Sequence, residues 1–386
     1  MVQRPDGGGP YVTFCLLSAG YFIPGIPRGL ENRGTVGEPM ADHALATITN
    51  PSAALTDFTL IVDLANLPAS WWSAVTSSDG TKGRVYKGDG TTELAADWID
   101  FDDTAETGLL RVKWSGTLAT SGTQQLWIEP PLTGNASYAA TDTYGSDNAY
   151  DANWEAYWPF ESDYTDRTSN SADASAGGGT PTIASGGQIG VNELQLDVNE
   201  ELSATISTLT NSQITILGWG KPGASSSALI GTAGGYEMVL RVNGGVTQFL
   251  LNSFSTNDRV DGSTSVNTSG VYQQFGGRYD GTDLEAFYNG SSDGSVTPTG
   301  SWGSISNLEI GALYGAADWL GAIDDLQIHS TGRSDAWIAS EYAQTNDNST
   351  FWGTWTWSGG GSPPAQSPVP IIMQMMDQFS GGTVWR

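Results

Sequence analysis

Trp154-Glu155-Ala156-Tyr157-Trp158-Pro159-Phe160-Glu161 carries apolar side chains at its even positions, Trp154, Ala156, Trp158 and Phe160. In an extended chain alternate residues share a face, so this is a strand whose apolar face is core rather than ligand platform. Downstream the same rhythm predicts strands at 213–219, 236–242, 247–252, 272–279, 283–289, 306–312 and 321–329. Asp280-Gly281 and Asn289-Gly290 are hairpin dipeptides, since both central residues can take positive φ. A helix is expected at 334–344, with Ser334 as its cap and Trp337 and Tyr342 as its anchors.

Working upstream, strands are expected at 46–49, 58–64, 84–86, 109–114 and 125–129. In the last two, apolar residues alternate with polar ones, which predicts one face packed inward and one meeting water. Trp71-Trp72 falls in a loop, and the polar stretch 133–153 leads into the second region. The expected division is a terminal arm or leader at 1–40, a small β-sandwich at 41–151, a larger β domain at 152–357, and a Gly/Pro linker with an apolar docking tail at 358–386. For 1–40 three readings stand: a secretory leader, an arm that orders on a partner, or sequence upstream of a start at Met40. The tail 371–379 either docks on a partner or folds back on its own chain.

Composition narrows the chemistry. With 15 Lys and Arg against 42 Asp and Glu in 386 residues, the formal charge is −27, which excludes nucleic-acid binding through basic patches. The 50 glycines and 15 tryptophans fit turn-rich β structure, and no apolar run approaches the length of a membrane span. One cysteine, Cys15, and two histidines, His43 and His329, leave no thiolate cluster and no histidine-rich metal centre. A metal would need oxygen ligands, which points to calcium.

Four segments carry a family resemblance: 156–161, 214–222, the pair 275–281 and 288–290, and the pair 308–311 and 321–328. In this order the second region resembles the laminin-G-like, concanavalin A-like jelly-roll superfamily, and 333–342 looks like the helix that follows the last strand there. The region from Ala41 to about Asp151 is similar to a small uncharacterised β domain that often precedes such modules in bacterial and phage surface proteins, through 55–58, 88–94 and the strand ending at Trp114. The resemblance implies an all-β chain of two β-sandwich domains, the second a jelly roll. It also implies a calcium ligand at Asp324, against which stands the alternative that Asp324 accepts hydrogen bonds from neighbouring loop amides.

The superfamily includes glycosidases, so paired carboxylates matter. Glu161 and Asp163 share a side of an extended chain and Asp166 does not, and the segment runs into the loop 168–171, which argues against a retaining pair. Neither histidine neighbours a Gly-x-Ser-x-Gly elbow. Sugar stacking on aromatic faces is the better expectation, with Trp302, Tyr314 and Trp319 as candidate ligand-binding residues, each also readable as packing. The expected function is a non-catalytic, extracellular or virion-surface structural protein, such as a phage decoration, fibre or tail component. Its expected partners are glycans or a host surface, and other assembly proteins through the termini. A purely structural assembly protein and a polysaccharide-degrading enzyme of the same fold are the alternatives.

Overall fold

A computed structural model describes residues 42–49, 53–120, 122–210, 213–251, 258–313, 318–346 and 351–359. The expectations for 1–40, Tyr314 and the tail 371–386 lie outside these residues. Among the described residues no helix is long and apolar enough to cross a membrane.

The first region is built on a four-stranded sheet, in the order Thr356–Ser358, His43–Ile48, Gln124–Glu129 and Arg84–Lys87, and a three-stranded one, Thr59–Asp63, Thr107–Lys113 and Ala96–Asp102. Its outermost strand comes from the far end of the chain, with Ser358 opposite His43, so Ser358 ends a strand rather than opening a linker. Trp71 and Trp72 are not in a loop. They sit buried on the short helix Ala69–Ala74, where the Trp71 indole donates to the Ile128 carbonyl (2.9 Å).

The second region pairs a seven-stranded antiparallel sheet with an eight-stranded one. Gly321–His329 lies at the centre of the latter, between Ile214–Pro222 and the strands Asn192–Leu196 and Trp154–Trp158. Alternation along Ile214–Pro222 sends Ile214 and Ile216 into the core between the two sheets, and Leu217 and Trp219 into a second core shared with the first region. Both faces of this sheet are therefore dry at its centre. Trp154 departs from the even-position rule: a bulge opposite Ile328 and His329 places it in the shared core, while Ala156, Trp158 and Phe160 stay between the sheets.

The expected helix is present as Asp335–Asn346, with the Ser334 hydroxyl accepting from Trp337 N (3.2 Å) and Tyr342 stacked on Trp219 (5.5 Å between centroids). Asn289 and Gly290 both take positive φ and close a tight hairpin. At Asp280-Gly281 only the glycine does. The Asp280 carboxylate instead accepts from Thr282 N and Asp283 N (both 2.8 Å).

The strand Thr107–Lys113 overturns the expectation of a wet face, since residues 108–112 are all buried. The second region covers that face. Arg111 is fully buried, pairing through Nη2 with Asp325 (2.6 Å) and through Nη1 with Glu341 of the helix (2.7 Å), above the Tyr157 ring. Gln344 completes the seam: its Oε1 accepts from Ile61 N (2.9 Å) and its Nε2 donates to Glu341 (2.6 Å). A polar residue in an alternating strand reads as solvent-facing only until another layer supplies its counter-charges.

Candidate binding site

Of the aromatic residues singled out from sequence, Trp302 and Trp319 are placed by the fold as packing. Trp319 is fully buried, its ring against Gly220, where even a Cβ would collide, and its indole donating to the Ala322 carbonyl (2.9 Å). Trp302 is 6 % exposed and belongs to the core between the sheets. Neither offers a face for a sugar, because both sit in the apolar interior that the two sheets create.

Asp324 and Asp325, adjacent in the strand, are both buried, because each face of their strand is covered. Asp324 Oδ2 accepts from Gln188 N (2.7 Å) and Ile189 N (3.1 Å), the loop-amide alternative to a metal. Its Oδ1 is buried without a partner. Among the described residues no three His, Cys, Asp or Glu side chains converge on a metal position, and Asp324 Oδ2 is already committed to two amide N–H donors that face it where a cation would sit. Burial instead pushes the Asp324 carboxyl well up, which suits a neutral acid.

The carboxylates considered for glycoside chemistry are also engaged. Glu161 accepts from Val191 N (3.1 Å) and Asn192 N (3.2 Å), and burial, only partly offset by these amides, pushes its carboxyl up to about 7. Asp166 accepts from Tyr157 N (2.9 Å), Thr168 N (3.0 Å) and Ala172 N (2.9 Å). Asp163 is exposed and accepts from Thr165 N (2.9 Å). These bonds fix loops. His329 packs between Trp154 and Trp337, with burial first and Arg333 second holding its imidazole well below the usual range. His43 stacks on Trp127 at 4.2 Å.

An open cleft of about 170 Å³ lies elsewhere, where the first region meets a loop of the second. Its walls include Arg84, Glu93, Asp97, Trp98, Tyr138, Tyr144, Ser146 and Arg167. Trp98, Tyr138 and Tyr144 are half-buried. The strand Arg84–Lys87 supplies Arg84, the strand Ala96–Asp102 supplies Asp97 and Trp98, and the segment read from sequence as a polar connection supplies the tyrosines. Gly83 is required beneath Trp98, since a Cβ there would run into the indole.

The loop that carries the tyrosines is tied down along its length. Asn135 Nδ2 donates to the Lys82 carbonyl (2.9 Å), Tyr138 N to the Thr81 carbonyl (3.2 Å), Ala139 N to the Asp142 carboxylate (2.8 Å), and Ala96 N to the Tyr144 carbonyl (3.2 Å). Within the walls, the Arg84 guanidinium lies 3.9 Å from the Tyr138 ring centre, and Tyr138 donates its hydroxyl proton to Glu93 (2.8 Å). Burial and that carboxylate push the Tyr138 phenol up to about 12, so it stays neutral. Arg167 grips Asp97 with two nitrogens (2.6 and 3.1 Å), and Tyr150 donates to the same carboxylate (2.8 Å). Burial disfavours the Arg167 charge, but Asp97 more than offsets this and raises its pKa.

Sequence reasoning missed these residues. The available signal was Tyr138, Tyr144 and Tyr150 recurring in a stretch otherwise made of small polar residues, a composition that leaves aromatic rings little local core to enter.

Residues 197–339 match the family model of laminin-G-like domains in the concanavalin A-like lectin/glucanases superfamily. The chain therefore carries a laminin-G-like jelly-roll domain, as the resemblance implied, within an all-β architecture. Among solved structures, it is similar to domain 4 of an extracellular arabinanase from Geobacillus stearothermophilus, in complex with arabinotriose (17% identity, TM-score 0.42, covering 50% of this chain and 100% of that one). It is also similar to the binding domains of Paraclostridial Mosquitocidal Protein 1 (13% identity, TM-score 0.41, covering 50% and 52%) and of botulinum neurotoxin serotype G (14% identity, TM-score 0.40, covering 49% and 50%). The chain thus spans about half the length of those toxin domains. No curated protein sequence matches it significantly.

Proposed function

We propose that this protein is a non-catalytic carbohydrate-binding module with an adhesive role on a cell exterior or virion surface, held in its assembly through residues 1–40 and 358–386. The observation that carries the reading is the cleft beside the jelly roll, where half-buried aromatic rings stand next to fixed donors and acceptors. Sugars are bound in this way: the apolar face of the ring lies on an aromatic while hydroxyls meet polar side chains. A non-catalytic role is supported by Glu161 and Asp166, whose oxygens hold backbone amides instead of facing each other across a groove. A net charge of −27 supports a solvated, repulsive exterior that works best in salty surroundings.

A glycan array probed with the full-length protein tests this. Binding to a defined group of glycans is expected. Silence across the array, with the protein still incorporated into its particle or surface layer, would instead favour a purely structural component. Hydrolysis of any arrayed glycan that is lost in Glu161→Gln would overturn the non-catalytic reading.

A further inference from the structure

We propose that the cleft between Tyr138, Tyr144, Trp98 and Arg167 is a single-ring subsite for the terminal residue of an uncharged glycan. This rests on the carbohydrate reading above and adds to it the location, size and charge of the ligand.

Size is the first argument. At about 170 Å³ the cleft falls below the roughly 300 Å³ at which pockets for drug-sized ligands begin, so it has room for one ring and not for a run of them. Further units of a glycan would lie outside it.

Charge is the second. The charged residues in the wall are two cations and two anions, Arg84 with Glu93 (3.6 Å) and Arg167 with Asp97 (2.6 Å). The Arg84 nitrogens are further committed to the carbonyls of Thr81 (3.1 Å), Gly83 (2.7 Å) and Ala136 (2.5 Å). An acidic sugar would thus find no uncommitted guanidinium at Arg84, would compete with Asp97 for Arg167, and would approach a chain of charge −27. A hydroxyl needs only single donors and acceptors, which the Ser146 hydroxyl, the Tyr138 phenol oxygen and the remaining Arg167 N–H groups provide.

Stacking geometry is the third. Arg84 already covers a face of Tyr138 at 3.9 Å, and Tyr144 stands with its centre 5.8 Å away at an interplanar angle of 54°. Tyr144 is thereby the free platform and Tyr138 the side wall. Because the loop is pinned to the strands before any ligand arrives, little ordering entropy is lost on binding.

The test is titration of the full-length protein with the methyl glycosides of galactose, glucose, mannose and xylose, with glucuronic acid and galactose 6-sulfate, and with neutral oligosaccharides of increasing length. The expected result is binding of at least one neutral glycoside, no gain in affinity beyond the first ring, and weak or absent binding of the anionic sugars. Tyr144→Ala should raise the Kd about tenfold, whereas Tyr144→Phe, which keeps the platform, should stay close to wild type. Preference for the anionic sugars, affinity that climbs steadily with chain length, or binding indifferent to Tyr144→Ala would each overturn this subsite and leave the carbohydrate reading standing. No binding of any sugar by a normally melting protein would overturn both.

Discussion

In the jelly roll Trp319 is sealed against Gly220 and Asp324 holds two loop amides, whereas in the companion sandwich Tyr138, Tyr144 and Trp98 stand half-buried around an open cleft. The same kinds of residue serve cohesion in one region and are left available in the other. Among the described residues, the larger open cleft therefore lies outside the domain with the recognisable family signature, with only Arg167 reaching it from the second region. The reason lies in how the eight-stranded sheet is used: one face packs on the seven-stranded sheet and the other on the companion sandwich and the helix Asp335–Asn346. Strands covered on both sides have no face to offer, and the open cleft is lined instead by loops and strand ends of the first region.

Substitutions sharpen this contrast, beginning with the seam itself. Arg111→Ala strands the buried carboxylates of Asp325 and Glu341 and should cost about 3–5 kcal/mol in urea unfolding. Unfolding should remain a single transition if the two regions share one core, as the cluster joining Ala44, Trp219 and Trp337 implies. Two separated transitions in the wild type would break the comparison, since the regions would then be independent.

An intermediate effect is expected at Glu161. Its folded pKa of about 7 lies above the unfolded value near 4.5, so the native state holds the extra proton between these values. Its contribution is therefore complete below the unfolded pKa and is lost as pH rises through 7. His329, depressed by burial, acts in the opposite sense below about pH 6.5, so the informative quantity is the difference between wild type and Glu161→Gln. That difference should change by roughly 3 kcal/mol between pH 4.5 and 7.5. A pH-independent difference in Tm would show that Glu161 ionises normally and that the loop at Val191 and Asn192 is held by other means.

The smallest stability effect belongs to the cleft. Tyr144→Ala should shift stability by no more than about 0.5 kcal/mol, because the ring is half-exposed and its loop is held by backbone bonds. A loss of several kcal/mol would make Tyr144 a packing residue, like Trp319.

How far the sequence could be read followed from where the information sits. Gly321–His329 was legible to the residue because Ala322, Ile323, Leu326 and Ile328 mark an apolar segment between glycine-containing turns, even though Asp324-Asp325 interrupts it. Ser175–Gly178, Arg259–Ser265 and Ser291–Val296 were not, since edge strands made of Ser, Gly and Asp bury too little to leave a pattern. The hairpin at Asn289-Gly290 is local chemistry and was legible; the bulge that turns Trp154 into the shared core depends on pairing with residues 328 and 329, far along the chain. Arg111 shows the same limit, because its partners lie 214 and 230 residues away. The cleft was hidden for that reason too: Arg167 reaches Asp97 across 70 residues, and only the fold brings Tyr138 and Tyr144 beside them.

The most direct test follows the tyrosine ring resonances of the full-length protein, selectively labelled, as the strongest array glycan is added. Tyr138 and Tyr144 should shift with saturation while Tyr279 and Tyr288 of the jelly roll do not. Shifts confined to Tyr279 and Tyr288, with Tyr138 and Tyr144 unmoved, would contradict it.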